Sequence, residues 1–310
     1  MKKWRVLGGL GCAIALCIGF NQPSPIKTKA QLGKKLFFEK MLSKDNSISC
    51  ASCHIPTHGF ADTLAISLGV DGTPGSRNAP SVMNLRGHDP FFWDGRAASL
   101  EEQALMPIAN PVEMNLSIEE AVKRLKSDKV YKSLFLSIFK QLPSPKNLGQ
   151  ALAAYQNTLE TDESAFDLDE LSASAERGRQ LFVSEKTKCF DCHNGPDFTN
   201  DEFKNIGLYD GVHLLDEGRS AITKDKADLG KFKTPGLRNV AVTGPYMHNG
   251  MFKTLEEVVD YYDNIYAFVP KPINLDSTLK EPLKLTVEQK KDLVNFLKAL
   301  TDKQYLKKAQ

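Results

Sequence analysis

Excess charge of one sign is missing from this sequence. Its 310 residues carry 40 Lys and Arg against 38 Asp and Glu. Lys2, Lys3 and Arg5 sit at the extreme N-terminus, and without them 37 bases face 38 acids. No basic stripe is left for a phosphate backbone, which excludes nucleic acid as a partner. Long apolar runs are scarce too. Residues 6–20, VLGGLGCAIALCIGF, are fifteen uncharged residues, short of the roughly twenty that span a bilayer. No segment alternates apolar and polar residues for long, so extensive sheet is not expected. With 41% hydrophobic residues, 21 Gly and 16 Pro, the composition excludes a disordered, collagen-like or coiled-coil chain.

The run after MKKWR matches the core of an export signal, so residues 1–22 are expected to direct the chain to the periplasm. No A-x-A precedes Asn21, and the segment could instead stay as an N-terminal membrane anchor. The residues before Cys12 and Cys17 are a poor acylation site.

The other four of the six cysteines form two pairs, each closed by histidine: Cys50-Ala-Ser-Cys53-His54 and Cys189-Phe-Asp-Cys192-His193. This is the attachment motif of c-type haem. Two thiols three residues apart can each add to one vinyl group of a porphyrin, and the adjacent histidine then reaches the iron from one face. Disulfides would leave both histidines unexplained, and so would a zinc site built from the two pairs. Two covalently bound haem c groups are therefore expected.

An internal repeat frames them. Gly33-Lys-Lys-Leu36-Phe37 precedes the first motif and Gly178-Arg-Gln-Leu181-Phe182 the second. A closing helix is expected in each half, carrying Leu148, Leu152, Tyr155 and Leu159 in one and Leu293, Phe296, Leu297 and Leu300 in the other. Capping boxes are expected at Ser99–Glu102, Ser117–Glu120, Thr254–Glu257 and Thr286–Gln289. The fold class is mostly α: two cytochrome c-like domains, residues 23–165 and 166–310, with long irregular loops over 55–98 and 194–250.

Further motifs are Gly75-Ser-Arg-Asn-Ala-Pro80, Phe92-Trp-Asp-Gly-Arg-Ala97, Asn110-Pro-Val-Glu-Met114, Phe232-Lys-Thr-Pro-Gly-Leu-Arg-Asn239 and Thr243-Gly-Pro-Tyr-Met-His-Asn-Gly250. With them, residues 30–302 resemble the bacterial dihaem cytochrome c peroxidase family. The resemblance implies reduction of hydrogen peroxide to water. It makes the N-terminal haem peroxidatic, and has the C-terminal one accept electrons from a small cytochrome c or cupredoxin. It implies that Glu113 is the acid–base carboxylate, with Gln103 in the same pocket, and that Trp93 relays electrons between the haems. Asn78, Thr243 and Pro245 match positions whose oxygens hold a structural Ca²⁺ at the domain interface.

Two positions depart from the commoner family pattern. Many members carry, sixteen residues after the first motif histidine, a second histidine that blocks the peroxide face at rest. That count from His54 reaches Val70; His58 and His88 are the remaining histidines of this module. The distal methionine of the second haem is expected fourteen residues after His248, where Tyr262 stands. A tyrosine holds this place in the dihaem enzymes that mature methylamine dehydrogenase. Tyr262 is thus the expected second ligand opposite His193, with Met247, Met251 and Tyr261 as alternatives. Alternative functions are oxidation of a protein or small molecule through a high-valent haem, and non-enzymatic electron carriage. A homodimer is compatible with the sequence.

Overall fold

The computed structural model describes Met1 and residues 25–306; the expected export leader lies outside the described residues. The helices in order are α1 (Lys29–Phe37), α2 (Cys50–Cys53), α3 (Leu100–Gln103), α4 (Met106–Ala109), α5 (Ile118–Ser127), α6 (Lys129–Phe139) and α7 (Pro145–Gln156). They continue with α8 (Ala173–Phe182), α9 (Ser220–Thr223), α10 (Leu255–Asp263), α11 (Ile265–Phe268), α12 (Val287–Ala299) and α13 (Lys303–Leu306). Sheet among the described residues is a single antiparallel pair, β1 (Phe203–Lys204) and β2 (Phe232–Lys233). No described helix is long and apolar enough to cross a membrane.

Each half is built on one crossed helix pair, α1 on α7 and α8 on α12. The repeated glycine explains the crossing. A Cβ at Gly33 would fall on the Ala151 carbonyl, and one at Gly178 on the Asp292 carbonyl. Only hydrogen at these positions lets the two backbones touch. Leu32, Leu36, Phe37, Leu148 and Leu152 then bury in the first core, and Phe182, Leu293, Phe296 and Leu297 in the second. Asp292 adds a polar lock, accepting from Ser174 at 2.5 Å and from Arg177 at 2.8 and 2.7 Å. Gly33→Ala should therefore lower stability by about 1–3 kcal/mol or more, as overpacking does. Chemical denaturation of the holoprotein reads this, and an unchanged midpoint would mean the crossing has slack.

Some local expectations need correction. Leu159 lies past the end of α7, because the chain leaves the helix at Asn157. Thr254–Glu257 and Thr286–Gln289 close as reciprocal capping boxes. Ser99 and Ser117 cap their helices, but the glutamates do not return the bond. Glu102 accepts from the Ala98 amide instead, and Glu120 pairs with Lys123. Thr28–Gln31 and Ser144–Asn147 are boxes that the sequence reading passed over.

The halves meet through buried polar groups. Asn84 and Thr161 exchange bonds at 3.2 and 2.9 Å, and Asn239 donates to the Thr161 hydroxyl at 2.8 Å. Arg77 grips Asp216 through two nitrogens at 2.7 and 2.8 Å and Asp94 through a third at 2.6 Å. Such a forked, directional contact fixes geometry more than a flat apolar contact would.

Candidate active site

The two haem motifs have the same local construction. The His54 Nδ1 donates to the Phe60 carbonyl at 3.1 Å, and the His193 Nδ1 to the Phe198 carbonyl at 3.0 Å. A carbonyl only accepts, so Nδ1 carries the proton and Nε2 keeps its lone pair for a metal. Burial holds both imidazoles below the ordinary histidine range, hence neutral. Phe60 and Phe198 both adopt positive φ, 55° and 57°, which turns their carbonyls back toward the histidines. Each also packs edge-on, at 6.1 Å, against the phenylalanine that ends the first helix of its half, Phe37 or Phe182. This pair of phenylalanines escaped the sequence reading; the signal was an aromatic residue five or six places after each motif histidine.

None of the four cysteines is in a disulfide. Burial pushes Cys50 up to about 12 and Cys53 and Cys189 up to about 11, and raises Cys192 too. Unpaired, protonated thiols beside a neutral imidazole suit thioether attachment of a haem better than a thiolate metal site. Among the described residues no cluster of three or more His, Cys, Asp or Glu could hold a metal ion.

A cavity of about 590 Å³ opens over the first motif. Cys50, Cys53, His54, Trp93, Gln103 and Glu113 all line it, and Asp197, Lys233 and Arg238 close it from the other half. With Nε2 of His54 and two thiols on its wall, the cavity fits a haem. Gln103 reaches it from the last position of α3. Trp93 is oriented by its indole N–H, which donates to the Asn78 carbonyl at 2.9 Å.

Glu113 is held from two sides. The Asn110 Nδ2 donates to its Oε1 at 2.6 Å, and its backbone carbonyl accepts from the Val70 amide at 2.8 Å. Gly69 packs so closely on Val112 and Glu113 that a side chain there would clash with their carbonyls. Burial raises the Glu113 carboxyl above the ordinary range, opposed by the Asn110 hydrogen bond and the charge of Arg96. Val70 itself is 2% exposed, docked by this contact.

His58 does not line the cavity, and His88 lines it with both ring nitrogens engaged. His58 Nε2 donates to the Gly244 carbonyl at 2.6 Å. His88 lies between Asp201, 2.7 Å from Nδ1, and Asp197, 3.2 Å from Nε2. The hydrogen bond to Asp197, helped by Asp201, lifts its pKa to about 9 against burial. The folded value exceeds the unfolded one of about 6.5. The stability His88 confers is therefore full below pH ~6.5 and lost as pH rises through ~9. Melting temperature against pH should show a fall across this window, which His88→Gln flattens; parallel curves would contradict it.

Around the second motif, Tyr262 lies on α10. Burial pushes its phenol well above the usual range, with Cys192 and Cys189 close enough to add to the shift and no hydrogen bond contributing. Tyr261 differs: it is fully buried and its hydroxyl donates to the Ile206 carbonyl at 2.5 Å. Met251 is 40% exposed, and Met247 packs with Leu208, Phe252 and Tyr261.

Asn78 bridges the halves: its amide donates to the His248 carbonyl at 2.7 Å and its Nδ2 to the Leu64 and Ala65 carbonyls. That leaves its Oδ1 and the carbonyls of Thr243 and Pro245 unengaged among the described residues. Neutral oxygens of this kind suit calcium.

Comparison with known proteins agrees with this construction. A family model for di-haem cytochrome c peroxidase matches residues 27–171. The methylamine utilization protein MauG of Methylorubrum extorquens is 41% identical over 280 residues, 88% of this chain and 78% of that protein. The cytochrome c551 peroxidase of Nitrosomonas europaea is 35% identical over 301 residues, 92% and 85% of the two chains. Among solved structures, a MauG-like protein associated with microbial copper homeostasis superposes with a TM-score of 0.83 at 32% identity, covering 91% of each chain. The diheme peroxidase BthA of Burkholderia thailandensis gives 0.80 at 27% identity over 90% of this chain and 87% of that one. Likeness at this level over nearly the whole length, with both haem motifs intact, places the chain in the di-haem cytochrome c peroxidase family, as an oxidoreductase carrying two haem c groups.

Proposed function

We propose that the protein acts in the periplasm, reducing hydrogen peroxide to water with two electrons from a small redox protein. The N-terminal haem site receives peroxide and the C-terminal one receives electrons. The observation that carries this reading is that His54 and Glu113 line the same cavity, which also takes in Gln103 and Trp93. A haem bound there supplies an iron coordination position and passes on electrons. Glu113 supplies the proton transfer: it takes a proton from one peroxide oxygen and returns it to the other as the O–O bond breaks. Its raised pKa suits that work, because an acid–base group is most effective near the working pH. Asn110 fixes Oε1 and leaves the second carboxylate oxygen for the substrate. Gln103 offers an amide to the same space, and Trp93 stands ready as an electron relay. Tyr262 and His193 would hold the iron of the second haem, and calcium held by Asn78, Thr243 and Pro245 would keep the two halves in register.

With Val70 where many relatives place a blocking histidine, with His58 outside the cavity lining and with both His88 nitrogens held by carboxylates, the peroxide face is open at rest. The oxidised holoenzyme should react with peroxide in a stopped-flow mixer without prior reduction. A protein inert until half-reduced would refute the open resting state.

Oxidation of a protein substrate is a second reading, favoured by Tyr262. It separates from the first by where the electrons come from: a protein side chain rather than a reduced cytochrome.

A further inference from the structure

A second cavity, of about 290 Å³, adjoins the first. Phe92, Arg96, Pro107, Asn110 and Glu113 line both, so Glu113 stands at the junction. Met106 and Ala109 of α4 complete the outer chamber, and Ala109 is exposed, which places the chamber toward solvent. The space far exceeds what hydrogen peroxide needs, since one water occupies about 30 Å³ of liquid. It approaches the lower end of small-molecule sites, roughly 300 Å³.

The lining chemistry narrows the occupant. Phe92, Met106, Pro107 and Ala109 present carbon. Arg96 is the one cation, and carboxylates answer its charge: its Nη1 donates to both oxygens of Asp94, which it shares with Arg77, at 3.0 Å, and Glu113 lies close enough to feel it, while its guanidinium lies 3.6 Å over the Phe92 ring. A neutralised cation in an apolar wall does not recruit an anion. The chamber suits a small, uncharged, apolar group whose reactive end points at Glu113.

We propose that this chamber receives the alkyl group of a small neutral organic hydroperoxide, which the protein reduces to the alcohol. The proposal rests on the peroxidase reading and extends its substrate class. The balance is ROOH plus two electrons from the donor protein plus two protons from solvent, giving ROH and water. The O–O bond breaks, and Glu113 takes the hydroperoxide proton and returns it to the departing alkoxyl oxygen. The alkyl group stays in the outer chamber while the two oxygens sit at the junction.

The test uses the holoenzyme with a reduced small cytochrome, and compares tert-butyl hydroperoxide with hydrogen peroxide. Both should be reduced. Ala109→Trp, at an exposed helix end, fills the chamber and should cut the ratio of kcat/KM for the alkyl substrate to that for hydrogen peroxide by about 10-fold. Met106→Ala enlarges the chamber and should raise the same ratio. A readout without turnover is saturation transfer from the protein to the methyl protons of tert-butanol, present in the wild type and lost in Ala109→Trp. If hydrogen peroxide is reduced but tert-butyl hydroperoxide is not, the proposal fails and the peroxidase reading stands. The same holds if the ratio and the tert-butanol signal are indifferent to both variants. Reduction of neither peroxide overturns both readings.

Discussion

Replacing Glu113 by Gln is expected to cut peroxide turnover by about 10²–10⁴-fold with both haems retained, the usual contribution of a positioned acid–base group. The amide keeps the volume and can still meet Asn110, but it cannot take a proton from peroxide and hand it back. The backbone contacts that set the site do not involve the carboxylate: the Val70 amide bonds to the Glu113 carbonyl and the Glu113 amide to the Asn110 carbonyl. Folding and haem loading should therefore survive. The variant is checked by intact mass for two haems and then by steady-state kinetics across pH. Wild-type activity should fall as acid protonates Glu113, and the raised carboxyl moves that fall to higher pH than an ordinary glutamate would give. The residual activity of Glu113→Gln should lack this limb. Undiminished turnover in a fully loaded variant would reduce Glu113 to a buried loop carboxylate.

Exchanging Tyr262 for Met should raise the potential of the second haem by hundreds of millivolts, within the ~0.8 V range that axial ligands span. Phenolate is an anionic donor that favours the ferric state, whereas methionine raises the potential. Burial, with a smaller contribution from Cys192 and Cys189, pushes the Tyr262 phenol far up, so it stays protonated unless a cation is present to take the oxygen. Iron at that position would supply the cation. Spectroelectrochemistry would then show a low-potential haem in the wild type. Tyr262→Met should give a high-potential haem with a sulfur-to-iron band in the near infrared. Identical potentials and spectra would make Tyr262 a packing residue.

The haem motifs and crossed helix pairs were legible because their information is local. Two thiols and a histidine within five residues, or a glycine three places before Leu-Phe, need no knowledge of the rest of the chain. Asn110 could have been read as well: an Asn three residues before Glu113, after which Pro sets a turn, is placed to cap its own loop. The His88 site was not legible. Its partners Asp197 and Asp201 lie 109 and 113 residues away, and no periodicity links them. Phe60 and Phe198 act through backbone carbonyls, so the aromatic residue after each motif histidine marks the place without naming the role. The two unreciprocated capping boxes fail for a related reason. A glutamate at the right spacing still chooses among nearby donors, and Ala98 and Lys123 won.

Steady-state oxidation of a reduced small c-type cytochrome by hydrogen peroxide tests the peroxidase assignment most directly. The holoenzyme should oxidise two equivalents of one-electron donor per peroxide, with turnover that depends on Glu113. Peroxide consumption without donor oxidation, or no consumption at all in a protein carrying both haems, would contradict it.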